Sequence, residues 1–355
     1  MTADLDLIVN GRRYSGWKSI RVTRSIETLA GSFALEVHDR WGGQDQPWPI
    51  AEEDACRVEI FGMPVIDGHI ETRSPSFAAG QRSQSYAGKD RAAALVECSV
   101  IRDAWAFRNL TLADLATQLA EPFHIKVSVQ PGLTLPRKTI VAHPGDSPFD
   151  VIKRAAQGAS VLVVSDGLGG IVITRGGATR AATALIEGEN LLSGSAELSS
   201  ADRYRRYVVA TQVGGTEEAA GELTRITAEA IDTEVRRPER VLMIRPEQGL
   251  GVADARKRAD WEARIRAARA ETATVGVLGW TQASGALWPL NALVFVSSPS
   301  LGVQGNMLIS QIEHSIGDGG TVTQLRLVRP DAFTPEPKAE VKGTGAWKEL
   351  AGGAH

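Results

Sequence analysis

Residues 5–14 read Leu-Asp-Leu-Ile-Val-Asn-Gly-Arg-Arg-Tyr, and this stretch sets the fold class. Leu5, Leu7 and Val9 share one face of an extended chain, and Asn10-Gly11 then supplies two residues that tolerate the positive φ of a type I′ turn. A hairpin is predicted. The period of two continues in Ile20, Val22 and Ile26, in Phe33, Leu35 and Val37, and in Cys56, Val58 and Ile60, with Gly, Pro and Asp between the runs. Short alternating strands with almost no helical period across residues 1–90 predict a small antiparallel barrel or sandwich.

From residue 110 the period changes. Thr111 is placed to cap a helix with Asp114 in its first turn, a stripe of Leu112, Leu115 and Leu119, and Pro122 beyond its end. A strand at Ile125–Val129 follows. Ser147 and Pro148 then suit the N-cap and first position of a second helix, which Gly158 ends. Asp166-Gly-Leu-Gly-Gly170 between Val161–Ser165 and Ile171–Arg175 reads as a hairpin closing an α+β unit. Strands resume at Tyr204–Ala210, Val275–Val277, Ala292–Val296, Met307–Ile316 and Val322–Val328, interrupted by one long helix at about Val252–Glu271. After Pro330 the chain turns Pro-, Lys- and Gly-rich, too polar to pack.

Composition excludes several classes of function. Length alone calls for more than one core in 355 residues, and 43% hydrophobic with 23% charged residues is ordinary for a chain that buries them. Lys and Arg number 39 against 42 acids, so there is no basic field to condense a polyanion. The longest apolar runs, Val161–Val164 and Ala292–Val296, fall far short of the roughly 20 residues that span a bilayer, and the N-terminus lacks the pattern of a signal peptide. Cytoplasmic synthesis and assembly are expected. Cys56 and Cys98, the only cysteines, are expected to be free thiols buried in strands.

No convergent set of reactive groups is visible. The six histidines, His38, His69, His124, His143, His314 and His355, lack metal-ligand spacing. The glycines at 166–170 precede a strand rather than a helix and lack the lysine of a phosphate loop. Gly194-Ser-Ala196 is no hydrolase elbow, and nothing in the spacing brings Asp150 to Glu187 as a glycosidase pair. The basic residues Arg256, Lys257, Arg258, Arg264, Arg266 and Arg269 are diluted by Asp254, Asp260, Glu262 and Glu271, the pattern of a solvated helix face with local ion pairs. The expectation is no enzyme, no cofactor and no metal. The eight tryptophans lie mostly at strand starts or in loops, and aromatics of that kind favour protein interfaces. Trp41 and Trp48 bracket the best loop candidate, which either folds back on its own barrel or touches a partner.

Several phrases, in order, resemble the Mu-like baseplate hub family of contractile phage tails. They are Gly16-Trp17, Arg24-Ser-Ile-Glu27 and Ala30-Gly-Ser-Phe33; Gly88-Lys-Asp-Arg91 with Leu95-Val-Glu-Cys98; Gly145-Asp-Ser-Pro-Phe149; Gly188-Glu-Asn190; Arg258–Trp261; Gly279-Trp280 with Leu287-Trp288; and Pro330-Asp-Ala-Phe333. Each is weak alone, but together they run from about residue 5 to 333. The resemblance implies a virion structural protein: a homotrimer whose two barrel-like domains per subunit make six similar units, joining a six-fold tail tube to a three-fold central spike, with DNA only as cargo in the lumen. It implies no catalytic residue, and it places the α+β unit and the long helix outside the ring. Other baseplate proteins are expected partners, and no membrane insertion is expected.

The expected fold is therefore mainly β with α+β insertions: a first barrel-like ring domain at 1–100, a peripheral α+β domain at 101–175, and a second barrel-like ring domain at 176–330. The last carries a helical insertion around 215–272, and a flexible tail occupies 331–355. Trp41, Trp48, Trp288 and Phe333 are the interface candidates. The alternative function is peptidoglycan or glycan binding through 101–175, using Trp105 and Phe123 as exposed aromatics.

Overall fold

The computed structural model describes residues 5–38, 48–79, 81–101, 105–157, 159, 161–213, 224–246, 251–317 and 320–334. Its chain opens as the alternation dictates. Asn10 and Gly11 adopt φ of 50° and 75°, which joins β1 (Leu5–Val9) to β2 (Arg12–Tyr14) through the two-residue turn. Five more strands follow: β3 (Ser19–Ser25), β4 (Ser32–His38), β5 (Ala55–Ile60), β6 (Met63–Ala78) and β7 (Gln81–Asp90). They pair antiparallel in the order β3-β4-β7-β6-β5-β1-β2. Leu7 of β1, Val22 of β3, Leu35 of β4, Val58 of β5 and Ile66 of β6 all enter one core. Six flat strands from β3 to β1 would span about 24 Å at the usual spacing, so outer strands that share a core must curl towards each other. The first lobe is thus barrel-like.

The α+β unit comprises α1 (Ala94–Glu97), β8 (Ala106–Leu110), α2 (Leu112–Ala120), β9 (Lys126–Val129), β10 (Lys138–Val141), α3 (Pro148–Gln157), β11 (Leu162–Ser165) and β12 (Gly170–Thr174). Thr111 and Asp114 close a reciprocal capping box on α2, and Leu112, Leu115 and Leu119 are buried in this unit's own core. Ser147 does the same for α3: its Oγ accepts from the Asp150 N–H at 3.1 Å, and Asp150 Oδ2 accepts from the Ser147 N–H at 3.0 Å. Gly158 lies outside the described residues.

The second lobe is built from β13 (Thr179–Arg180), β14 (Leu185–Ile186), β15 (Leu191–Leu198), and, after an insertion, β19 (Glu271–Leu278), β20 (Ala292–Ser298), β21 (Val303–Gly317) and β22 (Gly320–Val328). Its order is β15-β19-β22-β21-β20, with β13 and β14 parallel to β20, and Leu185, Val275, Val294, Ile309 and Leu325 share a separate core. Both lobes belong to one 14-stranded sheet, because β21 also pairs with β3. Among the described residues that sheet is open, from β15 at one end to β2 at the other.

The insertion is a compact unit of its own, residues 200–267. It contains β16 (Arg206–Val213), β17 (Thr224–Ile231), β18 (Val241–Ile244) and most of α4 (Val252–Arg269). The expectation of a helical insertion therefore needs correction: a three-stranded sheet, β17-β16-β18, accompanies the helix. The Tyr204–Ala210 segment belongs here and not to the second lobe, because Tyr207 and Val209 bury against Ala255 and Ala259 of α4. On the solvent side α4 carries Arg256–Asp260 and Lys257–Asp254 pairs at 3.3 Å, while Arg258 and Arg266 converge on the buried Glu262.

Both cysteines are free, but only Cys56 is buried; Cys98 is exposed. The reason is local: Cys98 ends α1 in extended backbone, φ −89° and ψ 154°, with no facing layer, and is not part of a strand. Burial pushes the Cys56 thiol up to about 12.

Candidate functional site

The residues predicted to meet partners scatter on inspection. Trp288 is 5% exposed and lies in the second core. Trp48 packs half-buried on the first core, its ring 4.9 Å from Tyr14 and 5.1 Å from Trp17. Phe333, at the end of a 3₁₀ turn over Pro330–Phe333, rests half-buried on Leu308 and its neighbours. Trp41 lies outside the described residues. Trp105 and Phe123, expected as an exposed glycan platform, are both half-buried against the α+β core. Each aromatic offers an apolar ring, and sequence alone does not say whether its own core or a partner takes it.

The two carboxylates weighed as a pair are likewise absorbed by structure. Glu187 accepts from Ser298 Oγ at 2.6 Å and the Ser300 N–H at 3.0 Å, contacts that hold its carboxyl below the usual carboxylate range, while Asp150 is engaged in its capping box. His69, His124 and His143 are exposed, and no group of three His, Cys, Asp or Glu able to hold a metal occurs among the described residues. A small cavity in the α+β unit, lined by Phe107, Leu112, Leu115 and Ile140 among others, measures only about 10 Å³, room for about one water.

Buried charge instead fastens the α+β unit to the first lobe. Asp90 accepts from the Gly31 N–H at 2.8 Å, the Ala92 N–H at 3.0 Å and Ser165 Oγ at 2.7 Å. Arg24 Nη2 donates to the Ser165 carbonyl at 3.2 Å, and the Asp67 N–H to the Gly167 carbonyl at 3.0 Å. Burial raises the Asp90 carboxyl against the pull of these donors and of Arg24, and lowers the Arg24 guanidinium. Gly167 has φ +77°, and a Cβ there would lie 2.5 Å from the Val65 carbonyl oxygen, so this close approach requires glycine.

The two lobes are spliced by β21. Its residues Val303–Leu308 pair with β20; beyond a bulge at Ser310, residues Gln311–Ile316 pair on the same side with β3. Ser310 is fully buried, and its carbonyl accepts from the Ile26 N–H at 2.9 Å and Ser25 Oγ at 3.3 Å. His314, in the paired stretch, lies 3.2 Å by Nδ1 from Thr323 Oγ1, whose proton goes to the Gly279 carbonyl at 2.7 Å. The histidine therefore donates through Nδ1–H as a neutral ring, and burial together with the Arg24 charge lowers its pKa to about 3.

Besides β2, two further strand edges stay open among the described residues. β6 pairs with β5 from Met63 to His69; after a bulge at Glu71 its residues Thr72–Ala78 pair only with β7 among the described residues, and Glu71–Ala78 are all exposed. Phe77 is 87% exposed. β15 pairs only with β19 among the described residues, with Leu192 56% and Leu198 60% exposed.

A multidomain chain with two spliced barrel-like lobes and an α+β unit between them is the architecture of a phage tail hub. Three family models match: the N-terminal domain of Mu phage baseplate assembly protein GpP-like proteins at residues 4–90, the second domain of baseplate hub protein gp44-like proteins at 92–175, and the fourth domain of Mu phage baseplate assembly protein GpP at 251–336. The chain is 29% identical to baseplate hub protein gp44 of Escherichia phage Mu, covering 94% of this chain and 89% of that one. It is 33% identical to the 43 kDa tail protein of prophage MuSo2 from Shewanella oneidensis, with TM-score 0.83 over 94% of this chain and 99% of that chain. The fold is also that of a Neisseria meningitidis MC58 tail protein, 19% identical, TM-score 0.77, covering 94% and 98%. The chain belongs to the Mu-like phage baseplate hub family and is a component of the tail baseplate of a virion.

Proposed function

We propose that the chain is a homotrimeric adaptor that joins the tail tube to the central spike and catalyses nothing. One observation carries the reading: the two lobes repeat one strand plan. In the first, β3-β4-β7-β6-β5 run side by side; in the second, β15-β19-β22-β21-β20 do, each with a bulge in its long strand, at Glu71 and Ser310. Two like lobes per chain let three chains present six like surfaces, which suits a six-fold tube above and a three-fold spike below. Titratable groups committed to caps, clamps and a buried latch suit a scaffold. The test is mass: light scattering on the purified chain, alone and with the spike protein of the same particle, is expected to give three chain masses. Monomer at high micromolar concentration in both cases overturns the proposal.

A further inference from the structure

We infer that the open edge of β15 is the seam between copies, and that the overhanging part of β6 from the next copy fills it, as β21 fills the edge of β3 within the chain. The inference rests on the homotrimer reading.

The strand registers of the two lobes correspond residue by residue. Ile70↔Gly88 and Thr72↔Ala87 flank the β6 bulge as Ile309↔Leu327 and Gln311↔Arg326 flank that of β21. Phe33↔Gly88 corresponds to Ala273↔Leu327, and Val22↔Phe33 to Ala196↔Ala273. Under this equivalence β3 answers to β15, and the stretch of β21 that pairs with β3 answers to Thr72–Phe77. The first pairing is made inside one chain; both strands of the second are present and largely exposed, and among the described residues the edges in the corresponding positions have no partner.

The register follows. Ile312↔Arg24, His314↔Val22 and Ile316↔Ile20 become Arg73↔Leu198, Pro75↔Ala196 and Phe77↔Gly194. Hydrogen-bond parity agrees. The Ser199 N–H donates to the Ala270 carbonyl, so the backbone groups of Gly194, Ala196 and Leu198 alternate to the open side. Two residues separate Ala78 from Gln81 at the hairpin turn, so Arg73, Pro75 and Phe77 face away from β7. Pro75 therefore loses no bond to β7 and withholds one donor from the seam. It also keeps the bare hairpin from stacking on other edges.

Side-chain shape agrees as well. Ile316 packs on the first core opposite Ile20. Phe77 would stand in the same place on the second core, opposite Gly194 and beside Leu301, which packs on that core and whose Cδ1 would lie 2.8 Å from a Cβ at Gly194. Leu198, half open to water, would be covered by the arm. Because a β6 edge meets a β15 edge, the contact is head-to-tail, the kind that closes rings.

The test places cysteines at Ser76 and Ser195, which face each other in the inferred register, in a Cys98→Ser chain, with each single-cysteine chain as control. Oxidation is expected to link chains only in the double variant, in a ladder that ends at three. Independently, Phe77→Asp and Ala196→Pro are expected to raise the concentration for half-assembly at least about tenfold, with monomer melting unchanged. If the unmodified chain is a trimer yet the double variant does not crosslink and both edge variants still assemble normally, the seam is wrong and the hub reading stands. A ladder that stops at two chains or runs past three keeps the seam and overturns the trimer. An unmodified chain that stays monomeric and gives no crosslink overturns both.

Discussion

Acid should loosen this protein through one histidine. His314 is 5% exposed, and its folded pKa of about 3 lies below the 6.5 it has when unfolded. The unfolded chain therefore binds a proton that the folded chain refuses, and stability is lost as pH falls from 6.5 towards 3. Between pH 7.5 and 5 the linkage integrates to about 2 kcal/mol, a large part of the stability of an ordinary domain. His314→Gln keeps a donor for Thr323 and removes the titration. Urea unfolding followed by tryptophan fluorescence suits the measurement, since the buried Trp280 ring lies 6.1 Å from the imidazole. The variant should lose about 2 kcal/mol less than the parent over that pH range. Asp90 works in the opposite direction, its raised pKa favouring the folded state as pH falls, but it is common to both chains and cancels in the difference. Parallel curves for parent and variant would refute the assignment of a neutral, buried His314.

Three other perturbations have expected sizes. Asp90→Ala leaves the half-buried Arg24 with Asp166 as its remaining nearby carboxylate and removes the acceptor of the Gly31 and Ala92 amides, so urea unfolding should show a loss of about 3 kcal/mol, with the β11–β12 hairpin gaining hydrogen exchange. Thr111→Ala removes half of the α2 capping box and should cost about 1 kcal/mol in the same assay. Gly68→Ala would set a Cβ 1.8 Å from the Lys89 carbonyl oxygen, backbone that cannot step aside, and should lower stability by more than about 3 kcal/mol or leave the chain insoluble.

Local physics was legible in advance and long-range pairing was not. The Asn10-Gly11 turn and the caps at Thr111 and Ser147 depend on neighbours within four residues, so their residue types announce them. The hub family was legible too, in phrases spread along the chain. The splice of β21 to β3 joins residues almost 300 positions apart, as in Thr23 Oγ1 to Glu313 Oε2, and no period in either strand encodes it. The strand Arg206–Val213 was visible, but its partners were not, because alternation names a buried face without naming what covers it. β15 escaped for a related reason: Leu-Leu-Ser-Gly-Ser-Ala-Glu-Leu lacks alternation, since one side of it packs thinly and its outer edge is bare. Phe77 carried a faint signal, a lone aromatic among Ser and Ala before a turn.

The sharing of β21 between two cores has a mechanical consequence. A flexible connector would let the lobes swivel, but here one backbone runs through both, and parting them means shearing the whole Gln311–Ile316 ladder at once along its length. Hydrogen bonds loaded side by side in shear resist together, unlike those of a strand peeled from its end. Each chain should therefore respond to a pull or a twist as one stiff piece across these two lobes, and any flexing must be taken up at joints outside the β21–β3 splice.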